Sequence, residues 1–113
     1  MQTFKRICGN SDDRKVYIDF RILDPSASQF IRNHSPDGFS WGYLGSGPSQ
    51  LALAILLHLT NDTLFSSTWY QEYKKEFVSS WDSQKDFDID LEEAYKWISE
   101  KRALPRQGSG IEI

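Results

Sequence analysis

The fold is decided by the stretch Gly38–Leu59, which reads GFSWGYLGSGPSQLALAILLHL. Residues 51–57 are seven consecutive apolar positions, so a helix here is hydrophobic nearly all round and must be covered on several sides. Pro48 suits the first turn of a helix, because its missing amide hydrogen is not needed there. We therefore expect an apolar central helix at about residues 48–59, around which the other elements pack.

The segments before this stretch predict a β-hairpin. Phe4–Cys8 and Lys15–Ile22 have the composition of strands, and the turn residues Gly9–Asp13 lie between them. In the second strand every other residue from Val16 to Ile22 is apolar, which is the period of a half-buried strand. One face of the hairpin is therefore expected to cover the central helix.

A proline ends the hairpin and leads into a polar loop. Pro25 has no amide hydrogen and restricts the residue before it, so the strand is predicted to stop at Asp24. Ser26–Gln29 is predicted to be loop. Ser35–Gly38 then has the proline and glycine placement of a tight turn just before the central stretch.

Two further helices are predicted after the central one. From about Phe65 or Ser66 to Val78, aromatic side chains recur at three- and four-residue steps opposite a polar face. Asp90 has the features of an N-cap for a third helix, and Phe87–Ile89 before it suits a short strand.

The predicted fold class is thus α+β, with an N-terminal β-hairpin, with or without a third short strand, packed on three helices. At 113 residues and 13.1 kDa, the chain is long enough for one domain with its own core. We expect one globular domain over residues 1–104 and a flexible C-terminal tail over residues 105–113.

Composition narrows the classes of partner. The net charge of −3 and the pI near 5.3 disfavour a protein that binds duplex nucleic acid. Cys8 is the single cysteine, so neither an intramolecular disulfide nor a cysteine-rich metal site is expected, and the reducing cytosol is the natural compartment. The longest apolar run is too short to span a bilayer, and no signal peptide is evident. A soluble cytoplasmic protein without membrane or duplex partners is expected.

The helix entry Gly45–Pro48 is the first candidate site. Its backbone amides lie at the positive end of a helix, an arrangement that binds phosphate or carboxylate. Ser46 or Gly47 is the predicted N-cap, and the Gln50 side chain can reach back to it. There is no P-loop lysine and no G-x-G-x-x-G series. The alternative interpretation is that the glycines only permit a tight entry into a buried helix.

Side chains before the helix could complete such a site. A helix terminus contributes about 0.3–2 kcal/mol to holding an anion, whereas micromolar affinity needs about 8 kcal/mol. Arg32 and His34 would neutralise charge. Trp41 and Tyr43 would stack on a base, at about 1–3 kcal/mol each, unless both rings are core packing. The candidate ligand-binding residues are therefore Arg32, His34, Trp41, Tyr43, Gly45, Ser46 and Gly47.

Catalytic chemistry has little support in the sequence. His34 and His58 are the only histidines, and neither has the acid or second histidine that a triad or a metal site requires. No catalytic residue, metal ligand or cofactor is predicted, and an enzyme is the least favoured class. A second hypothesis is a protein-interaction module in which exposed aromatics such as Trp69, Trp81 or Trp97 dock on a partner or on another copy.

Two runs carry a family resemblance. Residues 32–43, RNHSPDGFSWGY, and residues 45–56, GSGPSQLALAIL, resemble a family of small bacterial and phage proteins, the domain of unknown function 6166. The family pattern often has glycine where this chain has Leu44. The resemblance implies no activity, but it implies an accessory-gene setting in phages and mobile elements, where small domains often mask a host protein or sequester a nucleotide. The leading hypothesis is a non-catalytic protein that binds an anionic, nucleotide-like ligand, and the alternative is an inhibitor or adaptor of a host protein.

Overall fold

The computed structural model describes residues 6–104, in which a four-stranded antiparallel sheet packs with four α-helices. The predicted α+β class is confirmed. The first residues of the predicted hairpin and the predicted tail over residues 105–113 lie outside the described residues. The strands are β1 (Arg6–Gly9), β2 (Val16–Ile18), β3 (Arg21–Ile22) and β4 (Phe87–Asp90), and the helices are α1 (Ser26–Ile31), α2 (Ser46–Thr60), α3 (Thr63–Glu76) and α4 (Glu92–Arg102).

The sheet has the strand order β3-β2-β1-β4. Ile7 in β1 lies opposite Ile18 in β2 and Ile89 in β4, so the predicted third short strand pairs with the hairpin. Ile7, Val16 and Ile18 are buried in the same core as α2, as the alternation in β2 predicts. The hairpin therefore packs on the helices.

The prediction of one continuous strand over Lys15–Ile22 is wrong. Asp19 and Phe20 both have positive φ, +50° and +70°, and form a two-residue turn of the type I′ kind. The turn is held by Arg6, whose amide donates to Asp19 Oδ1 at 3.0 Å and whose carbonyl accepts from the Asp19 amide at 3.0 Å. The chain therefore reverses after Ile18, and the apolar side chain of Phe20 is left 100% exposed.

Helix α2 is the central helix, as predicted. It begins at Ser46, two residues before the predicted start, and ends at Thr60. Residues 51–56 are all buried, because α1, α3 and the sheet surround them. The N-cap is Gly45, with no side-chain hydrogen bond to the cap, so the predicted cap roles of Ser46, Gly47 and Gln50 are not realised.

Helix α1 replaces the loop that was predicted over Ser26–Gln29. Asp24 Oδ1 accepts a hydrogen bond from the Ser26 amide at 2.9 Å, and the Pro25 carbonyl accepts from the Ser28 hydroxyl at 2.8 Å and from the Gln29 amide at 2.9 Å. These local bonds start a six-residue helix that pattern reading overlooks, because it is too short to show a period. It ends one residue before Arg32.

Helices α3 and α4 confirm the other two predicted helices with small shifts. Asp62 caps α3 by accepting from the Phe65 amide at 3.0 Å, and so α3 begins at Thr63. Asp90 Oδ1 accepts from the Glu92 amide at 2.8 Å and positions the first turn of α4. The far end of α4 returns to α3, since Arg102 forms an ion pair with Asp62 at 3.1 Å.

Candidate functional site

The glycine-rich helix entry is partly covered by its own loop. A β-carbon at Gly45 would lie 2.4 Å from Cε2 of Tyr43, and one at Gly47 would lie 2.6 Å from Cβ of Ser40 and 3.2 Å from the Tyr43 hydroxyl. Both glycines are therefore required for the close approach of the loop, as the helix-entry interpretation predicts. Ser46 remains exposed, and Tyr43 is 48% exposed.

Trp41 is a core residue. Its side chain is 0% exposed, and its indole Nε1 donates to the carbonyls of Asp82 and Lys85, both at 3.1 Å. The ring of Phe87 packs edge-to-face against the indole, with 4.7 Å between the ring centroids. The guanidinium of Arg14 lies over the indole, 4.5 Å from the ring centroid. The predicted stacking of Trp41 on a ligand has no support in this arrangement, because no face of the ring is open.

Arg14 is a residue that sequence reasoning missed. Besides covering Trp41, it donates from Nη2 to the Ser83 carbonyl at 2.6 Å. Gly42, with φ +89°, donates its amide to the Val78 carbonyl at 3.0 Å and leaves no room for a β-carbon beside Ser83. These contacts fasten the segment after α3 to the loop before α2. No sequence signal distinguishes Arg14 from an ordinary surface arginine.

Gln50 organises the other half of the loop. It is 0% exposed, and its amide makes four hydrogen bonds. Oε1 accepts from the amides of His34 at 2.7 Å and Ser35 at 3.0 Å. Nε2 donates to the Ser28 hydroxyl at 2.9 Å and to the Arg32 carbonyl at 3.1 Å. The full hydrogen-bonding capacity of one buried amide thus holds the segment 32–35 against α1 and α2.

His34 is held by α3. Its Nε2 lies 2.6 Å from the hydroxyl of Tyr70, and the ring is half-buried. Burial lowers the pKa of His34 below its ordinary value of 6.5, and the positive charges of Arg32 and Lys74 lower it further. Arg32 is exposed. The positive charges of Arg32 and Lys74 therefore both act on His34, and Trp41 does not belong to this group.

Because the pKa of His34 is lowered in the folded state, we expect the fold to be less stable in mild acid than at neutral pH. A histidine whose pKa is lower in the folded than in the unfolded state contributes stability above its unfolded pKa, and that contribution is lost as the pH falls through the folded pKa. The free energy of unfolding should therefore fall between about pH 7 and pH 5, the range in which histidine titrates. Urea unfolding at several pH values in this range measures the free energy of unfolding. In His34→Asn this free energy should depend less steeply on pH. An unchanged slope in the variant would contradict the prediction.

The tryptophans of the second hypothesis are packed and do not form an exposed docking face. Trp97 is buried, with Tyr73 at 5.2 Å and Trp69 at 6.4 Å, both edge-to-face. Trp81 packs on Phe87 at 4.4 Å. Other large apolar side chains are exposed in the described residues, and the most exposed are Phe20, Phe30, Leu64 and Leu44.

One groove is lined by two exposed large apolar residues. It has a volume of about 820 Å³ and is lined by β3 and its flanking residues, α1, the C-terminal half of α2 and the start of α3. Phe30, 93% exposed, and Ile22, 56% exposed, line it. Leu57 and His58 contribute from α2. No candidate residue predicted from the sequence lines this groove.

Residues 6–104 offer neither a metal cluster nor a membrane-spanning helix. Among these residues no group of three or more histidine, cysteine and acidic side chains could hold a metal ion. No helix in this part of the chain is long and apolar enough to cross a membrane.

Comparison with known proteins supports the family resemblance that residues 32–43 and 45–56 carry. Neither curated proteins nor solved structures give a match. The sequence model of one family of unknown function, DUF6166, matches residues 8–100, which is most of the chain and runs from β1 into α4. The chain therefore belongs to the family of unknown function DUF6166.

Proposed function

We propose that this chain is a non-catalytic protein-interaction module that binds another polypeptide through the groove beside β3. The observation that carries the proposal is the exposure of Phe30, 93%, and Ile22, 56%, at a groove of about 820 Å³. Contiguous apolar surface of this kind marks sites of protein interaction, and aromatic side chains dominate the energetics of such sites.

The energetics favour a polypeptide partner that adds backbone contacts. Burial of Ile22 and Phe30 would each contribute about 1.5–3 kcal/mol. Association costs on the order of 4–15 kcal/mol, so the apolar contacts alone give weak binding. β3 is an edge strand, and an extended segment that pairs with it would add main-chain hydrogen bonds to the apolar contacts.

An accessory role in a phage or mobile element fits a module of this kind. A small binding domain can mask a host protein or join it to another without chemistry of its own. We place the partner in the cytoplasm, where the single Cys8 stays reduced.

Panning a random peptide display library on the immobilised chain tests the proposal. Enriched peptides should bind the Phe30→Ser variant at least about tenfold more weakly, which corresponds to about 1.4 kcal/mol. Leu44→Ser is the matched control, because Leu44 is exposed but does not line the groove. Failure to enrich any peptide on chains immobilised too sparsely to self-associate, or equal binding to both variants, would overturn the proposal.

A second candidate is an anion site at Arg32, His34 and Lys74. It is favoured by the effect of both positive charges on the pKa of His34, and by the exposed Ser46 at the start of α2, the helix from which Gln50 holds His34. A bound nucleotide would reverse that effect, since a nearby negative charge favours protonated histidine. The His34 titration, followed by NMR with and without ADP, should then show a higher pKa with ADP. No shift would remove this candidate.

A further inference from the structure

We propose that the polypeptide that occupies the groove is a second copy of this chain, with β3 paired to β3 across a two-fold axis at Ile22. The inference rests on the proposed function of the groove as a polypeptide-binding surface. It adds the identity of the partner, the register of the contact and the residue that enters the groove.

The backbone of β3 has a donor and an acceptor that point away from β2. The Leu23 amide donates to the Val16 carbonyl at 2.7 Å, and Ile22 lies opposite Tyr17. Because bonded and non-bonded pairs alternate in an antiparallel ladder, Ile22 and Tyr17 form a non-bonded pair. The N–H and C=O of Ile22 therefore point to the free edge, since β3 is the last strand in the order.

This edge is complementary to itself. A two-fold axis beside Ile22 brings the N–H of each copy to the C=O of the other, so two hydrogen bonds form at once. A closed two-fold contact of this type uses the same patch on both chains, and growth stops at the dimer. Each four-stranded sheet would become half of one continuous sheet.

The register brings Phe20 to the groove of the second copy. In an antiparallel pair centred on Ile22, paired residue numbers sum to 22 + 22 = 44, so Phe20 faces Asp24 of the second copy. Asp24 lines the groove together with Ala27 and Phe30. Phe20 is 100% exposed at φ +70°, a conformation that aromatic residues rarely adopt, so the turn presents an apolar ring at the point that the dimer requires.

The charges at the edge do not oppose the contact. Arg21 and Asp24 are both exposed, and hydrogen bonds from Ser26 lower the pKa of Asp24, which keeps its carboxylate ionised. In the same register Arg21 faces Leu23 of the second copy, the residue next to Asp24. The two-fold axis therefore brings no like charges directly opposite each other across the edge.

Sedimentation equilibrium and cysteine cross-linking test the dimer. The chain should sediment at twice 13.1 kDa at high concentration. In a Cys8→Ser background, Ile22→Cys should form a disulfide-linked dimer, because bonded partners lie about 5.5 Å apart at Cα, within the rough disulfide range of 4.4–6.8 Å. Leu44→Cys in the same background is the control and should stay uncrosslinked.

Two variants separate the interface from the fold. Phe20→Gly creates Asp-Gly, the pair that a type I′ turn prefers, so the monomer should keep its circular dichroism spectrum while the dimer is lost. Ile22→Pro removes an N–H that points away from β2, which edge strands tolerate, and should also give monomers. Leu44→Ser should remain dimeric.

The outcomes distinguish this inference from the proposed function. A monomer at every concentration that still binds peptides through Phe30 would overturn the second copy as the occupant and leave the proposed function standing. A dimer that survives both variants would place the interface elsewhere and also overturn the inference. If the unmodified chain neither binds peptides nor self-associates, both proposals are overturned.

Discussion

Trp41→Ala is expected to lower the free energy of unfolding by about 4 kcal/mol, the middle of the range for removing a large aromatic residue from a core. Trp41 is 0% exposed and holds the carbonyls of Asp82 and Lys85 through Nε1. The substitution leaves a cavity under Arg14 and removes the indole N–H from both carbonyls, of which that of Asp82 still accepts from the Lys85 amide at 3.2 Å. Since small domains have about 5–15 kcal/mol of stability in total, this loss is a large part of it. Urea unfolding measures it.

Tyr43→Ala is the matched control for this loop. Tyr43 is 48% exposed and packs on Gly45. Its removal should therefore lower the free energy of unfolding by less than half as much as Trp41→Ala does. Trp41→Phe isolates the indole hydrogen bonds, because it keeps a ring and removes Nε1, and it should fall between the two. Equal stability of Trp41→Ala and the unmodified chain would contradict the core role and return Trp41 to the list of candidate ligand contacts.

Gln50→Met is expected to lower the free energy of unfolding by about 3 kcal/mol. Methionine has nearly the shape of glutamine but provides neither the two donors nor the acceptor that Gln50 uses. A polar group that is buried and left without a partner costs about 1–3 kcal/mol. Four groups lose the hydrogen bond to Gln50. The total cost stays below four times this value, because the Ser28 hydroxyl still donates to the Pro25 carbonyl and groups near the surface recover water.

Gln71→Met on the partly exposed side of α3 is the control and should change stability by less than about 0.5 kcal/mol. Hydrogen exchange gives an independent measurement, because the amides of His34 and Ser35 donate to Gln50 and should exchange faster in Gln50→Met. Slow exchange at both amides in the variant would show that the loop is held by other contacts.

Prediction from sequence succeeded where a segment carries its own pattern. Residues 51–57 are apolar at every position, and only a helix covered on several sides satisfies them. The aromatic repeat of α3 and the acidic start of α4 are equally local. The short strand β4 was also predictable, because Phe87–Ile89 stands between turn residues and a helix start.

Prediction failed where a distant residue determines the outcome. Lys15–Ile22 has the pattern of one strand, but Arg6 holds Asp19 with two hydrogen bonds and the chain turns there. The glycines at the helix entry permit either an anion site or close packing, and the Tyr43 ring occupies part of that space. Of the predicted site residues, Arg32, Tyr43 and Ser46 remain accessible, whereas Trp41 and Gly47 are buried.

The sequence by itself determined the central helix, the hairpin and the family, because these depend on the order of apolar, polar and turn residues along the chain. Only the tertiary structure decided which polar and aromatic groups are available for binding. Gln50 and Trp41 find their partners on segments far along the chain, and burial there satisfies them. Phe20 is exposed because the chain reverses there, and that reversal depends on the distant bonds of Arg6 with Asp19, which no local pattern in the sequence shows.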